Sequence, residues 1–369
     1  MPLNTDTHSE LQESEAQAAD ADGHEEPRPL TPRRLRRRGG TRGGRHRLRQ
    51  RRPRIVRWAR KLARRVRGRV RRTWIRRKLF GRAIPLLRQH KPKELKAPAR
   101  YTRNPKLGNP PVISIVTPTY NTGKFLERTM SSVLDQGYPR LEYIVQDGGS
   151  TDETKEVLER HRDRLQHCEM RPDDGHAHAI NLGFEHATGN VMGFLNADDI
   201  LLPGSLHYVA HYFERHPRVD LVYGHRVLID ENDMEIGRWV LPGHDDEIIG
   251  WADFVPQETM FWRRRLWERA GGYMDQGWPF ALDWELLIRF IDAGAVAVRL
   301  PRFLGGFRVH DAQKTSAIID TQGDSEMAAL RQRVHGREVS RDEIKAHVKP
   351  YMRRHIALQK LYRARVLRY

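Results

Sequence analysis

The sequence predicts an α/β protein organised around a mainly parallel sheet, and three observations carry that expectation. Between residues 112 and 195, short apolar runs alternate with amphipathic segments at the spacing of right-handed βαβ units. Successive apolar runs end in acids, where open α/β sheets bind ligands. Finally, residues 107–369 have an ordinary globular composition and suffice for one large domain or two small ones.

The elements follow in order. Beyond Pro110 and Pro111, Val112–Val116 reads as a short buried strand, followed by an amphipathic helix from about Lys124 to Leu134. Leu141–Val145 is a second strand, and Asp147–Asp152 is a turn rich in Gly and Ser, with Thr151 or Asp152 able to cap a helix running to about Leu165. His167–Met170 is a third strand, Ala177–Ala187 a helix, and Asn190–Leu195 an apolar strand ending at Asn196-Ala197-Asp198-Asp199. Pro203–Arg215 reads as a helix. Val219–Leu228 and Glu235–Leu241 read as paired strands across the polar Asp230–Asp233 turn. Arg264–Ala270 and Asp283–Asp292 read as helices, Ala295–Leu300 and Leu304–Val309 as strands. Ser340 with Glu343 resembles a capping box for a last basic helix, Arg341–Tyr362, which Pro350 should interrupt.

The net charge of +19 is concentrated in one stretch. Residues 1–30 hold eight acids and one Arg, residues 31–106 hold 32 Lys/Arg against Glu94 alone, and the remainder is slightly acidic. Within the basic stretch Trp58, Leu62, Val66, Val70 and Trp74 recur at four-residue spacing, which places them on one broad helix face. Such a face suits an anionic membrane surface, where each Lys or Arg adds ~1 kcal/mol. Arg-rich sequence also binds nucleic acid through phosphates, but that contact does not need an apolar stripe. Cys168 is the single cysteine, which excludes an intramolecular disulfide or a cysteine zinc site. No run of eighteen apolar residues exists, and the acidic start reads as no secretory signal. The expected location is therefore cytoplasmic, with peripheral attachment to the inner face of the membrane.

Asp147, Asp173-Asp174 and Asp198-Asp199 leave three successive apolar strands. Acids there are costly unless they meet a cation or water, and Asn196, Asp198 and Asp199 offer hard oxygen ligands for Mg²⁺ or Mn²⁺. A single such Asp is more often an N-cap or a turn former, but three in register favour a site. Most of the eighteen His and the six Trp from Trp239 to Trp284 read as structural. Trp278, close before Asp283, is the best candidate among them for stacking on an acceptor.

The chain resembles the family 2 glycosyltransferases of the GT-A fold over roughly Val112–Ser316. The matching pieces are Ile115-Val-Thr-Pro-Thr-Tyr-Asn121, Gln146-Asp-Gly-Gly-Ser-Thr-Asp-Glu-Thr154, Phe194-Leu-Asn-Ala-Asp-Asp199, Pro256-Gln-Glu-Thr-Met-Phe-Trp-Arg-Arg264, Ala281-Leu-Asp-Trp-Glu285 and Phe307-Arg-Val-His310. The resemblance implies an inverting transferase that moves a sugar from a nucleotide-sugar donor to an acceptor hydroxyl on a glycan or lipid-linked glycan. It implies that Pro118, Tyr120, Asp147, Asn181, Asn196 and Asp199 hold the donor, with Asp147 on the base. Asp198 and His310 would hold Mn²⁺ or Mg²⁺, and Asp283 would be the catalytic base. Departures from the pattern are Gly148 in place of a second Asp, Asn196 in place of the first acid of D-x-D, His178 where relatives often have Asp, and Leu282 in place of Glu. The implied organisation is an acidic disordered tail (1–32), a basic arm with an amphipathic helix at about 55–84 (33–106), the GT-A domain (107–320) and a C-terminal helical extension (321–369). The competing expectation is a nucleic-acid-binding protein whose GT-A-like module has no turnover; a requirement for Asp283 separates the two.

Overall fold

The computed structural model describes residues 89–311 and 322–369. The acidic tail and most of the basic arm, including the helix expected at about 55–84, lie outside the described residues.

Four parallel strands lay down one half of the sheet: β1 (Ile113–Thr119), β2 (Leu141–Asp147), β3 (His167–Met170) and β4 (Val191–Phe194). β1 is buried along its full length, as a central strand covered on both faces must be. The crossovers are helices α1 (Gly123–Leu134), α2 (Thr154–His161) and α3 (His176–Glu185). The expected cap is present in a doubled form. Asp152 accepts from the backbone N–H of Thr154 at 3.1 Å and from that of Gly123 at 2.9 Å, so one carboxylate serves the starts of both α1 and α2.

After the short β5 (Ile200–Leu201) and α4 (Ser205–Arg215), the chain builds the other half of the sheet. β6 (Leu221–Ile229) pairs antiparallel with β7 (Glu235–Trp239) across the polar turn, as expected. The helical turn α5 (Asp246–Ile249) precedes β8 (Phe261–Arg263), which bridges β4 and β6 antiparallel to both. The helices α6 (Arg264–Arg269) and α7 (Leu282–Asp292) then lead to β9 (Ala297–Arg308), parallel to β6. Among the described residues the sheet runs β3-β2-β1-β4-β8-β6-β9-β5, with β7 against β6. The parallel half and the mixed half thus meet at β4 and β8.

Three expectations change. The two strands placed at Ala295–Leu300 and Leu304–Val309 are one strand, because Pro301 lies exposed within β9 without ending it. α8 (Asp324–His335) falls in the expected C-terminal helical extension, where no separate helix was read; it buries only Glu326 and Leu330, so its apolar periodicity is faint. α9 (Arg341–Arg363) runs through Pro350, starting from the Ser340–Glu343 capping box. Five of the six tryptophans in the globular part are core residues, Trp262 and Trp284 among the most deeply buried.

The end of the basic stretch is packed on the fold. Lys93 bridges to Glu235 by paired backbone bonds of 2.7 and 3.1 Å, and Leu95, Ala97 and Tyr101 join a small core with Val227, Val240 and Phe303. The Tyr101 hydroxyl accepts from the Phe303 backbone N–H at 3.0 Å, and the Arg302 guanidinium lies 3.9 Å from the ring centre. This seat requires Gly204. Its φ is +67°, and a Cβ there would stand 2.0 Å from the Tyr101 carbonyl oxygen. Gly204→Ala is expected to lower thermal stability, its backbone strain alone costing ~1–3 kcal/mol. Gly137→Ala, also at positive φ but facing open space, should lose clearly less. Paired melting curves of the two variants check this.

Candidate active site

A cavity of about 790 Å³ opens at the carboxyl ends of β1 and β4 and extends beneath the C-terminal helices. Pro118, Tyr120 and Gly148 line one end, with Asp173, Asn196 and Asp198. Tyr120 is 63% exposed at this end of the cavity. It is held there by the loop before α1, where Asn121 adopts φ +50°. Asn121 donates its backbone N–H to Ser150 Oγ at 2.8 Å, and its side-chain oxygen accepts from Thr151 N–H at 2.8 Å. Asn tolerates this left-handed conformation better than most residues do.

Asp147 governs the neighbouring loop from below. It is fully buried, and its carboxylate accepts from the backbone N–H groups of Gly149 and Ser150 at 3.1 and 2.9 Å. It does not line the cavity. Gly148, the departure noted above, lies beside Asp173: a Cβ at 148 would be 2.8 Å from Asp173 Oδ2. A carboxylate from the β3–α3 loop therefore stands where relatives often carry a second Asp in the turn.

Asp198 Oδ2 and His310 Nε2 are 2.9 Å apart at the cavity wall. Two ligands ~2.1 Å from one octahedral ion, at right angles, stand ~3 Å apart. That spacing is also the hydrogen bond the two side chains make with each other, and the pair could offer a divalent cation a carboxylate oxygen and an imidazole nitrogen. Asn196 sits next to it, with its side-chain oxygen 3.0 Å from His176 Nε2. Asp199 turns the other way. It is 1% exposed, accepts from the backbone N–H of Arg308 at 2.9 Å, and does not line the cavity. Burial, together with the charges of Asp198 and Glu258, pushes its carboxyl well above the usual range.

The opposite wall carries Asp283 in the first turn of α7. Burial pushes its carboxyl up, opposed by the backbone N–H of Trp284, which donates to Oδ1 at 2.9 Å. Asp253, which was not anticipated, lines the same wall, and its Oδ1 is buried without a hydrogen-bond partner. Burial and the charge of Asp283 push Asp253 well above the usual carboxylate range. Below them Arg226 is held by a buried bidentate pair with Glu258, at 2.7 and 2.5 Å. The turn that presents Asp283 is gripped from outside. Glu326 of α8 accepts from the backbone N–H groups of Phe280 and Ala281, both at 2.9 Å. A carboxylate at the start of α7 also opposes the positive end of that helix.

Of the residues expected from the sequence, the structure brings Pro118, Tyr120, Asn196, Asp198, Asp283 and His310 to one cavity. It does not bring Asp147, Asn181 or Asp199 there. Asn181 is fully engaged with the Met274 backbone, donating to its oxygen at 2.9 Å and accepting from its nitrogen at 2.7 Å. His178 accepts from the Asp174 backbone at 2.9 Å and is not a lining residue. Nor is Trp278, whose indole donates to Asp275 and whose ring lies under Arg333. Asp253, Arg226 and Glu326 carry no local sequence signature. The Pro-Gln-Glu-Thr motif marked Glu258 but not its partner.

A mixed sheet of this order, with a cavity at the carboxyl ends of its parallel strands, has the architecture of the GT-A fold. The sequence profile described as glycosyl transferase family 2 matches residues 114–272. An uncharacterized glycosyltransferase of Nostoc sp. is 34% identical over 228 residues, which is 58% of this chain and 70% of the relative. A PGL/p-HBAD biosynthesis glycosyltransferase of Mycobacterium tuberculosis is 30% identical over 193 residues, 51% of this chain and 73% of the relative. The crystal structure of S. aureus TarS 1–349 in complex with UDP-GlcNAc superposes with a TM-score of 0.51 at 18% identity, covering 66% of this chain and 71% of that one. The chain belongs to glycosyl transferase family 2 and is a glycosyltransferase.

Glu326→Ala would strand two buried N–H groups. It is expected to cost ~1–3 kcal/mol of stability and, by loosening the Asp283 turn, up to ~10²-fold in kcat. Glu326→Gln keeps an acceptor oxygen and should recover most of both. Melting curves and turnover measured on the same preparations check the pair.

Proposed function

We propose that the enzyme transfers a sugar from a nucleotide-sugar donor to a hydroxyl of a glycan or lipid-linked acceptor, with inversion at the anomeric carbon. The observation that supports this reading is that Asp283 lines the same cavity as Asp198 and His310. Pro118 and the exposed Tyr120 ring would hold the nucleoside, with Asp173 reaching the same end beside Gly148. Asp147 would act from beneath, fixing the loop rather than touching the base.

In the reaction the acceptor oxygen attacks the anomeric carbon and its proton passes to the Asp283 carboxylate. The bond from that carbon to the diphosphate breaks, and the nucleoside diphosphate leaves with the electron pair. A positioned base of this kind contributes typically ~10²–10⁴-fold. Asp198 and His310 would hold a divalent cation, and the imidazole tilts the pair toward Mn²⁺ over Mg²⁺, whose shell is usually all oxygen. When bound, that ion would neutralise charge developing on the diphosphate. Asn196, steadied by His176, would complete the diphosphate side.

Asp283→Asn is expected to reduce transfer by ~10²–10⁴-fold while donor binding is largely kept. Because a base must be deprotonated and burial raises this carboxyl, the acid limb of the wild-type pH–rate profile should lie above the ordinary carboxylate range. Turnover unchanged in the Asn variant, or an acid limb at the ordinary value, would overturn the assignment.

The basic stretch supports a second element of the reading, attachment to an anionic membrane surface, because its apolar stripe has no use in phosphate contact alone. No helix among the described residues is long and apolar enough to cross a membrane. Deleting residues 33–88 is expected to abolish co-sedimentation with anionic vesicles and to leave turnover on a water-soluble acceptor intact. Retained sedimentation, or full-length protein that binds duplex DNA but not vesicles, would exclude the membrane role.

A further inference from the structure

Beyond Asp283 the cavity changes character. Phe280 before α7, Phe307 in β9 and Met327 on α8 all line it, and all three are only partly buried although they pack against the main core. Phe254 and Ile344 close the wall behind them. Large apolar side chains left facing a cavity forgo ~25 cal/mol for each Å² kept in water.

The polar groups at this end are mostly committed already. Arg226 is bound to Glu258, and Arg331 donates to the carbonyl oxygens of Trp251 and Met327 at 2.8 and 3.2 Å. A bare sugar turns several hydroxyls outward, and each one buried without a partner costs ~1–3 kcal/mol. The wall offers the carboxyl groups of Asp283 and Asp253, then a surface of rings and a thioether. Rings favour offset or edge contacts with another ring, and methionine sulfur packs well against ring edges.

We propose that the acceptor is an aryl-bearing alcohol, such as a phenol-linked glycoside. Its reacting hydroxyl meets Asp283, a neighbouring hydroxyl meets Asp253, and its aromatic body lies against Phe254, Phe280, Phe307, Met327 and Ile344. The assignment rests on the reading of Asp283 as the base and adds the class of acceptor. Met327 and Ile344 lie beyond Ser316, where the resemblance to the family ends, so part of this surface comes from the C-terminal helices α8 and α9.

The test compares phenyl, octyl and methyl glycosides of one sugar as acceptors for the full-length protein, with Mn²⁺ and the nucleotide sugar that most raises its melting temperature. The expected result is a KM for the phenyl glycoside at least about tenfold below that for the methyl one, the scale at which an apolar pocket discriminates. The octyl glycoside should fall between them. In Phe280→Ala, and separately in Met327→Ala, that phenyl-to-methyl ratio should shrink toward one. Equal KM values for phenyl and methyl glycosides in the wild type would overturn the proposal, as would a ratio unchanged in both variants. An octyl glycoside as good as the phenyl one would overturn its aromatic part. Asp283→Asn is run alongside: transfer surviving there to every acceptor would strike the base assignment itself, whereas a flat acceptor series with transfer abolished strikes only the acceptor class.

Discussion

The buried guanidinium of Arg308 holds the two halves of this molecule in register at the active site. It donates to the Asp198 carbonyl at 2.7 Å and to the Asp230 carbonyl at 3.0 Å, and it pairs with Asp233 at 2.6 Å. Its own backbone N–H goes to Asp199. One side chain therefore ties the end of the parallel half to the β6–β7 turn and to the last strand. A buried charge is costly unless it is partnered, and here the partners include the backbone of Asp198 and the turn between β6 and β7. Asp198 is aimed at the cavity because its carbonyl and its neighbour are both anchored behind it.

The same economy appears on the other wall. Asp253, Asp283 and Glu258 are brought close in a region largely shielded from water, and Arg226 is the cation that makes the group tolerable. Glu258 holds Arg226 by two bonds, which leaves Asp253 and Asp283 less than fully neutralised. Burial pushes both carboxyls upward against that partial compensation, and a carboxylate whose affinity for a proton is raised is a better base once it is ionised.

Much of this was legible in the sequence, for identifiable reasons. β1 to β4 and their helices follow from local patterning, because a buried parallel strand and an amphipathic crossover each declare themselves within ten residues. Asp198, Asp283 and His310 were found through motifs in a fixed order. The motifs also singled out Asp147, Asn181 and Asp199, which do not line that cavity. A one-residue step along a turn reverses a side chain, and all three are spent holding backbone. Asp253, Arg226 and Glu326 were out of reach, since each acquires its meaning only from a partner 30 or more positions away. Pro301 and Pro350 misled in the same way, because local breaking signals were overridden by tertiary pairing and by a well-capped helix.

α8 touches the chemistry twice through adjacent residues. Glu326 grips the backbone that presents Asp283, and Met327 forms part of the wall of the cavity. A molecule that settles against Met327 therefore bears on the same rigid turn that fixes the carboxylate. Thermodynamic reciprocity then applies: whatever seating at that wall gains from an ordered α8, the ordered Asp283 turn gains equally from the seating. On the proposed reading, occupancy of that wall and alignment of Asp283 would be two readings of a single equilibrium.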